Sequence, residues 1–177
     1  MVKALKISTP VGEMIAAASG EGVCLLEFHE GDLSTEGYRI LAGLPEDEKV
    51  REGTNRNLRL LRKQLTEYFR GKRREFTVPL VIRGTQFQVE VWKALQQIPF
   101  GETISYKGLA QMLAMPGSAR AVAGADAKNR IAIVIPCHRV IGSNGELTGY
   151  AGGLKVKEWL LNHERKFSGK PVELTLI

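Results

Sequence analysis

The feature that most limits the folds open to this chain is a change of pattern at Arg83-Gly84-Thr85. Before it, short apolar runs alternate with polar residues and are cut by Gly and Pro clusters, as strands and turns require. After it, apolar residues recur at spacings of three and four. Those segments open on Ser or Thr and close on Pro or Gly, the pattern of short capped helices. A chain of 177 residues has room for two such units. The expectation is an α+β protein, with an N-terminal α/β domain over residues 1–84 and a mostly helical C-terminal domain over 85–177.

In the first unit, Val2–Ser8, Glu13–Ala18 and Val23–His29 read as strands separated by Thr9-Pro10-Val11-Gly12 and Ser19-Gly20-Glu21-Gly22, which predicts a meander. Residues 30–53 are acidic and turn-rich without a period, and read as a long loop. Leu58, Leu61, Leu65 and Phe69 share one face of a helix over Asn55–Arg70 that Gly71 can end. Phe76–Ile82 reads as a final strand.

In the second unit, Thr85 caps a helix running through Phe87, Val91, Trp92 and Leu95 to Ile98, broken by Pro99-Phe100-Gly101. Ser105 caps a helix over Tyr106–Ala114, Met115-Pro116-Gly117 turns the chain, and Ser118 caps a helix over Ala119–Ala127. Two short helices joined by a Gly-containing turn form a helix-turn-helix pattern. The second helix is built of small residues, with Arg120 as its conspicuous long side chain. Such a helix suits either tight packing in a core or a place in a DNA groove with Arg120 projecting. An apolar run, Ile131–Ile135, follows Asn129 and Arg130. A last helix is predicted from about Leu154 to Arg165, then a loosely held tail from Phe167 to Ile177.

Composition narrows the function classes. The chain is 44% hydrophobic and 25% charged, which excludes long disorder and a disulfide-built scaffold. No apolar run is long enough to span a membrane, and Met1–Lys6 lacks an apolar signal core. Two cysteines, Cys24 and Cys137, fit a reducing compartment, so a cytoplasmic protein is expected. The net charge is +6, unevenly spread: residues 1–48 carry −6, 49–83 carry +8 and 84–177 carry +4. That balance fits a polyanionic partner such as nucleic acid, and equally a solvated basic surface.

The chemistry concentrates in Ile135-Pro136-Cys137-His138-Arg139-Val140-Ile141. A thiol is mostly protonated at neutral pH and needs a neighbouring base to act as a nucleophile. Adjacent residues in an extended chain point apart, so Cys137 and His138 can cooperate only across a bend or a water molecule. The competing reading is a buried, inert cysteine beside a satisfied histidine. A metal site is disfavoured, because adjacent ligands have poor geometry and no CxxC or HxxxH accompanies them.

Pro136-Cys137-His138-Arg139-Val140, preceded by Ser118-Ala119-Arg120-Ala121-Val122 and Asn129, resembles the O6-alkylguanine-DNA alkyltransferase family. So do Gly149-Tyr150-Ala151-Gly152-Gly153-Leu154, Lys157-Glu158-Trp159-Leu160-Leu161 and His163-Glu164. Phe87-Gln88-Val89-Glu90-Val91-Trp92, Ile98-Pro99-Phe100-Gly101-Glu102-Thr103 and Ser105-Tyr106 match as well. The likeness covers residues 85–165 strongly and the first unit weakly, mainly through Thr9-Pro10-Val11-Gly12. It implies a ribonuclease-H-like N-terminal domain and a winged-helix-like C-terminal domain. It also implies repair of double-stranded DNA by flipping out an O6-alkylated guanine and moving the alkyl group, once and irreversibly, to Cys137. O4-alkylthymine is implied as a further substrate.

By the same resemblance, His138 would make the Cys137 thiolate through a bridging water, and Glu164 would orient His138. Tyr106 would donate to the departing guanine, and Asn129 would tie the helix-turn-helix to the active-site segment. Arg120 would fill the gap left by the flipped base, and Tyr106, Lys107, Met115 and Ser143 would meet the DNA. Val140, Tyr150, Ala151 and Gly152 would line the guanine and alkyl pocket. No cofactor is implied, and a monomer is expected, associated with the nucleoid in a prokaryote. Some relatives carry a structural zinc in the N-terminal domain. Only Cys24 and His29 are available there, so none is expected here.

Departures bear on substrate range. Ala132 stands where some relatives have a proline that packs on large alkyl groups, and Ala151 where some have serine. A side branch that binds lesions without repairing them has Trp at the reactive position, whereas this chain keeps Cys137. Two rival readings remain at this level: a non-catalytic DNA-binding helix-turn-helix protein, and a Cys-His hydrolase or acyltransferase acting on a small substrate.

Overall fold

The computed structural model describes residues 1–170. The chain divides into two compact units, Met1–Arg83 and the part from Gly84 onward. Among the described residues, strands and six α-helices combine in an α+β architecture.

The first unit is built on a four-stranded sheet. Strands β1 (Val2–Thr9), β2 (Gly12–Ala18) and β3 (Val23–Phe28) form the expected antiparallel meander. The β1–β2 turn pairs Thr9 with Gly12, and Gly12 takes φ 120°, which a residue with a Cβ rarely adopts. Helix α1 (Thr35–Leu41) follows, and β4 (Val50–Glu52) adds parallel to β1, giving the order β3-β2-β1-β4. Helix α2 (Arg56–Phe69) packs across β1, β2 and β3 and buries Leu58, Leu61, Leu65 and Tyr68. A separate cluster joins Val2, Ala4, Ile15, Ala17 and Leu25 to Tyr38 of α1. Cover on both faces explains why β2 and β3 are buried almost continuously rather than alternately.

Two expectations fail in this unit. Residues 30–53 are not a featureless loop, because they contain α1 and β4. Ser34 caps α1 by accepting from the Gly37 amide, and Tyr38 anchors it. Two turns with one buried residue are too short to show a period. Phe76–Ile82 does not form a strand. Its sheet contact is a single bridge from Leu80 to Val23. Pro79 has no amide to donate, and Gln64 Oε1 accepts from the amides of Thr77 and Val78, so a side chain replaces a ladder.

The second unit opens with α3 (Gln86–Leu95), where Thr85 and Gln88 form a reciprocal capping box. The predicted continuation to Ile98 is turn, with Ile98 buried. Helix α4 (Tyr106–Met112) is capped by Ser105 and ends earlier than predicted, because Ala114 turns left-handed at φ 56°. Helix α5 (Ala119–Asp126) completes the helix-turn-helix. Ser118 does not cap it: its φ of −94° and ψ of 19° fold it into the preceding turn, where its amide donates to Met115 O. Strands β5 (Ile104–Ser105) and β6 (Val140–Ile141) pair in parallel. Helix α6 (Leu154–Phe167) runs two residues past its predicted end. Of the predicted loose tail, Phe167 therefore belongs to a helix, and residues 171–177 lie outside the described part.

Candidate active site

Ile131–Ile135 is wholly buried but is not a strand. Asn129 organises it from within: its side-chain amide donates to Ile135 O at 2.9 Å, and its Oδ1 accepts from the Ile131 amide at 3.0 Å. Ile133 is held at φ 70°, a strained conformation for a β-branched residue. The segment delivers the chain into a single 3-10 turn, Cys137–Arg139, that ends where β6 begins. The chain therefore bends at Cys137 and His138. Cys137, His138 and Arg139 all sit on this turn, and all are buried.

Glu164, on α6, meets the turn from the other side. Its Oε1 accepts from His138 Nε2 at 2.7 Å and from Arg139 Nη2 at 3.0 Å. Its Oε2 accepts from Arg139 Nε at 2.9 Å and from the Gly101 amide at 3.1 Å. Both His138 and Glu164 are 0% exposed. Arg139 Nη1 donates to Ile98 O at 2.6 Å, and its guanidinium lies 5.9 Å from the centre of the Phe100 ring.

Burial by itself would push the Glu164 carboxyl up. The charge and hydrogen bond of His138, together with Arg139, overcome this and hold it well below the usual carboxylate range. With His138 neutral, the bidentate Arg139 bonds and the Gly101 amide still keep Glu164 ionised. Burial pushes His138 below its ordinary value, against the pull of Glu164. A neutral His138 facing an ionised Glu164 carries its proton on Nε2. Its Nδ1 then presents a lone pair, and this atom has no hydrogen-bond partner among the described residues.

The match to known proteins follows this division of the chain. Residues 2–82 match the family model "6-O-methylguanine DNA methyltransferase, ribonuclease-like domain", and residues 86–166 match "6-O-methylguanine DNA methyltransferase, DNA binding domain". The chain belongs to the 6-O-methylguanine DNA methyltransferase family. It is 44% identical to a methylated-DNA–protein-cysteine methyltransferase of Methanosarcina barkeri over 158 residues, covering 89% of this chain and 94% of that one. It is similar to the crystal structure of the Mycobacterium tuberculosis O6-methylguanine methyltransferase, with a TM-score of 0.80, 39% identity, and cover of 98% of this chain and 97% of that chain. It is also similar to Mycobacterium tuberculosis OGT in complex with DNA, with a TM-score of 0.77, 40% identity, and cover of 96% and 95%.

Within this methyltransferase-family fold, the remaining candidates fall into two groups. Tyr150 sets its ring edge-on to His138, with centroids 6.5 Å apart, and Val140 is buried on β6 just past the turn. Ala151 and Gly152 follow Tyr150 in the segment entering α6. Tyr106 opens α4. Burial pushes its hydroxyl up, Asp126 and Cys137 add to this, and a side-chain hydrogen bond with Thr148 pulls the other way.

Arg120, Lys107 and Ser143 instead are exposed, and Met115 is half-buried in the helix-turn-helix turn. The small residues of α5 divide between two faces. Val122 and Ala125 turn inward, and the Ala125 carbonyl accepts from Trp92 Nε1. Ala121, Gly124 and Ala127 lie outward with Arg120, and a Cβ at Gly124 would meet nothing within 4 Å.

Arg139 is the site residue that sequence reasoning passed over. Its signal was its place in the Pro-Cys-His-Arg run, but only the fold shows that it binds Glu164. Among the described residues, no group of three or more His, Cys, Asp or Glu side chains comes together in a way that could hold a metal ion. Cys24 lies in the first unit, where its thiol donates to Ala17 O and burial pushes it up to about 11.

Proposed function

We propose that this chain repairs O6-alkylguanine in double-stranded DNA by moving the alkyl group to Sγ of Cys137 in a single irreversible event, with O4-alkylthymine as a further substrate. The observation that carries the reading is the buried Glu164–His138 bond directly behind Cys137. An inert cysteine next to a satisfied histidine does not call for an ionised carboxylate fixing the tautomer.

In this reading, Nδ1 of His138 takes the Cys137 proton through a water molecule, and Glu164 stabilises the imidazolium that forms. The thiolate then attacks the alkyl carbon in line. A sulfur–carbon bond forms as the oxygen–carbon bond breaks, and the guanine leaves with the electron pair. Tyr106 hydrogen-bonds the departing base, which regains a proton on release. A thioether has no easy exit, so each molecule acts once.

Asn129 keeps the helix-turn-helix in register with the reactive turn. Arg120, projecting from the small-residue face of α5, occupies the gap left by the flipped base. Tyr106, Lys107 and Met115 contact the DNA, and Ser143 meets its backbone. Val140, Tyr150, Ala151 and Gly152 enclose the base and its alkyl group. The protein works as a monomer in the cytoplasm, at the nucleoid in a prokaryote, and needs no cofactor.

The test is intact-protein mass after mixing with a slight excess of duplex DNA containing one O6-methylguanine. A gain of about 14 Da, mapped to Cys137 and absent from Cys137→Ala, is the expected result. Bound DNA with unchanged mass would make the protein a lesion reader instead.

A further inference from the structure

Helix α2 carries its charge where a helix gains least from it. Leu58, Leu61 and Leu65 form its buried face. On the opposite face Arg56, Arg59, Lys63 and Arg70 recur at spacings of three, four and seven, so they form one exposed stripe, with Arg62 exposed beside it. Arg56 opens the helix and Arg59 follows three residues later, and no acidic residue in the first turn offsets the positive end of the dipole. Like charges three and four residues apart also repel one another along the stripe. The single carboxylate on the helix, Glu67, lies 2.6 Å from Arg73 and 4.0 Å from Lys63. Among the described residues, Arg56, Arg59, Arg62 and Arg70 enter no ion pair. Cations set against the stability of their own helix, with no carboxylate of the protein to meet them, point to an anion outside it.

The surroundings of the stripe narrow the class of anion. None of the exposed large apolar side chains lies on α2, so a protein partner or a bilayer finds no anchor there. Arg62, Thr66 and Arg70 form one wall of a groove of about 480 Å³ whose other wall is Lys6–Pro10. Lys6 is bonded to Asp32 at 2.7 Å and lies 3.4 Å from Glu13, so the uncompensated charge is on the α2 side. A DNA strand presents its phosphates as a convex ridge, which matches such a cation-edged groove in shape and in charge.

We propose that the outer face of α2 is a second DNA contact, in the unit outside the matched DNA-binding domain of residues 86–166. It holds the phosphate backbone without reading sequence and takes no part in alkyl transfer. Its effect is on affinity and on the rate of encounter with the duplex. The inference rests on double-stranded DNA being the partner.

The test compares two paired variants of the full chain, each less positive by the same amount. Arg59→Gln with Arg62→Gln cuts the stripe. Lys49→Gln with Arg51→Gln removes exposed cations at β4, the edge strand next to β1. Fluorescence anisotropy follows binding to a long undamaged duplex across a salt series. The stripe pair is expected to bind about tenfold or more weakly and to reduce the slope of log affinity against log salt by about one to two, since each phosphate contact contributes about 0.9. The β4 pair is expected to reduce that slope by less than about half a unit. The stripe pair should also melt no lower than the parent and react with free O6-benzylguanine at the parent's rate. A slope change below about one or an equal change in the β4 pair overturns the proposal. So does a lower melting temperature, which would show that the arginines serve the fold, or a slower reaction with the free base, which would tie them to the chemistry. A parent that does not bind the duplex overturns this inference and the proposed function together. A parent that binds with the same slope as the stripe pair overturns this inference alone.

Discussion

His138 and Glu164, 26 residues apart in sequence and both 0% exposed, are joined by a 2.7 Å bond from Nε2 to Oε1. Glu164 lies near the C-terminal end of α6, where the helix dipole opposes a negative charge. The carboxylate is held there by His138, Arg139 and the Gly101 amide together. Replacing Glu164 with Gln keeps the shape and removes the charge. Arg139 is then left buried and unpaired, which destabilises the fold by about 3 kcal/mol or more. His138 also loses the partner that fixes its tautomer, so the rate of alkyl transfer falls by about 10²-fold or more. Chemical denaturation and single-turnover repair assays on one preparation read both effects.

Arg139→Lys is not a conservative change. The fork binds both oxygens of Glu164 and the Ile98 carbonyl, and a single ammonium cannot span them. A loss of about 2–4 kcal/mol in unfolding free energy is expected. A loss below half of that would show that the fork is not what holds Glu164.

Arg120 is exposed and touches none of the buried array. Arg120→Ala should therefore slow repair in duplex DNA by about tenfold or more, through the cost of opening the stack. Reaction with free O6-benzylguanine should stay unchanged. Equal losses on both substrates would refute its place in the gap of the flipped base.

Asn129→Ala removes both side-chain bonds to the Ile131–Ile135 loop and leaves the Ile131 amide without the Asn129 oxygen that it donates to. A loss of about 2–3 kcal/mol is expected in urea unfolding. A slower reaction with the free base should accompany it, since this loop aims the Cys137 turn.

Asp126 gives a pH signature of opposite sign to that of His138. Its folded value is raised, to about 7. The protonated form is therefore favoured in the folded state. Its contribution is full below the ordinary Asp range and is lost as pH rises toward 7. His138 is depressed, so its contribution is lost as pH falls below its ordinary value near ~6.5. Asp126→Asn should thus gain stability relative to the parent as pH rises from about 4 to about 7 and level off above that. Thermal melts across that window give the sign directly, and a constant difference would show that Asp126 does not titrate there.

Much of the architecture was legible because it is local. Alternation marked β1, short runs between Gly and Pro clusters marked β2 and β3, the Leu58, Leu61 and Leu65 stripe marked α2, and Thr85 and Ser105 marked the starts of α3 and α4. Where local signals misled, tertiary contacts had substituted for them. Gln64 satisfies the backbone at Thr77 and Val78 that a strand would have paired, and Tyr38 anchors a helix too short to show a period.

The sequence by itself determined the order of elements, the helix-turn-helix and the Pro-Cys-His-Arg run to which we assign the chemistry, since each depends on residues within a few positions of one another. Only the tertiary structure decided what surrounds Cys137. Glu164 reaches His138 and Arg139 from 26 and 25 residues away. Lys157 on α6 and Asp126 on α5 act on each other's charge across 31 residues. No spacing rule links such groups. Burial in a common interior removes the water that would screen their charges, and that is what makes them act on one another.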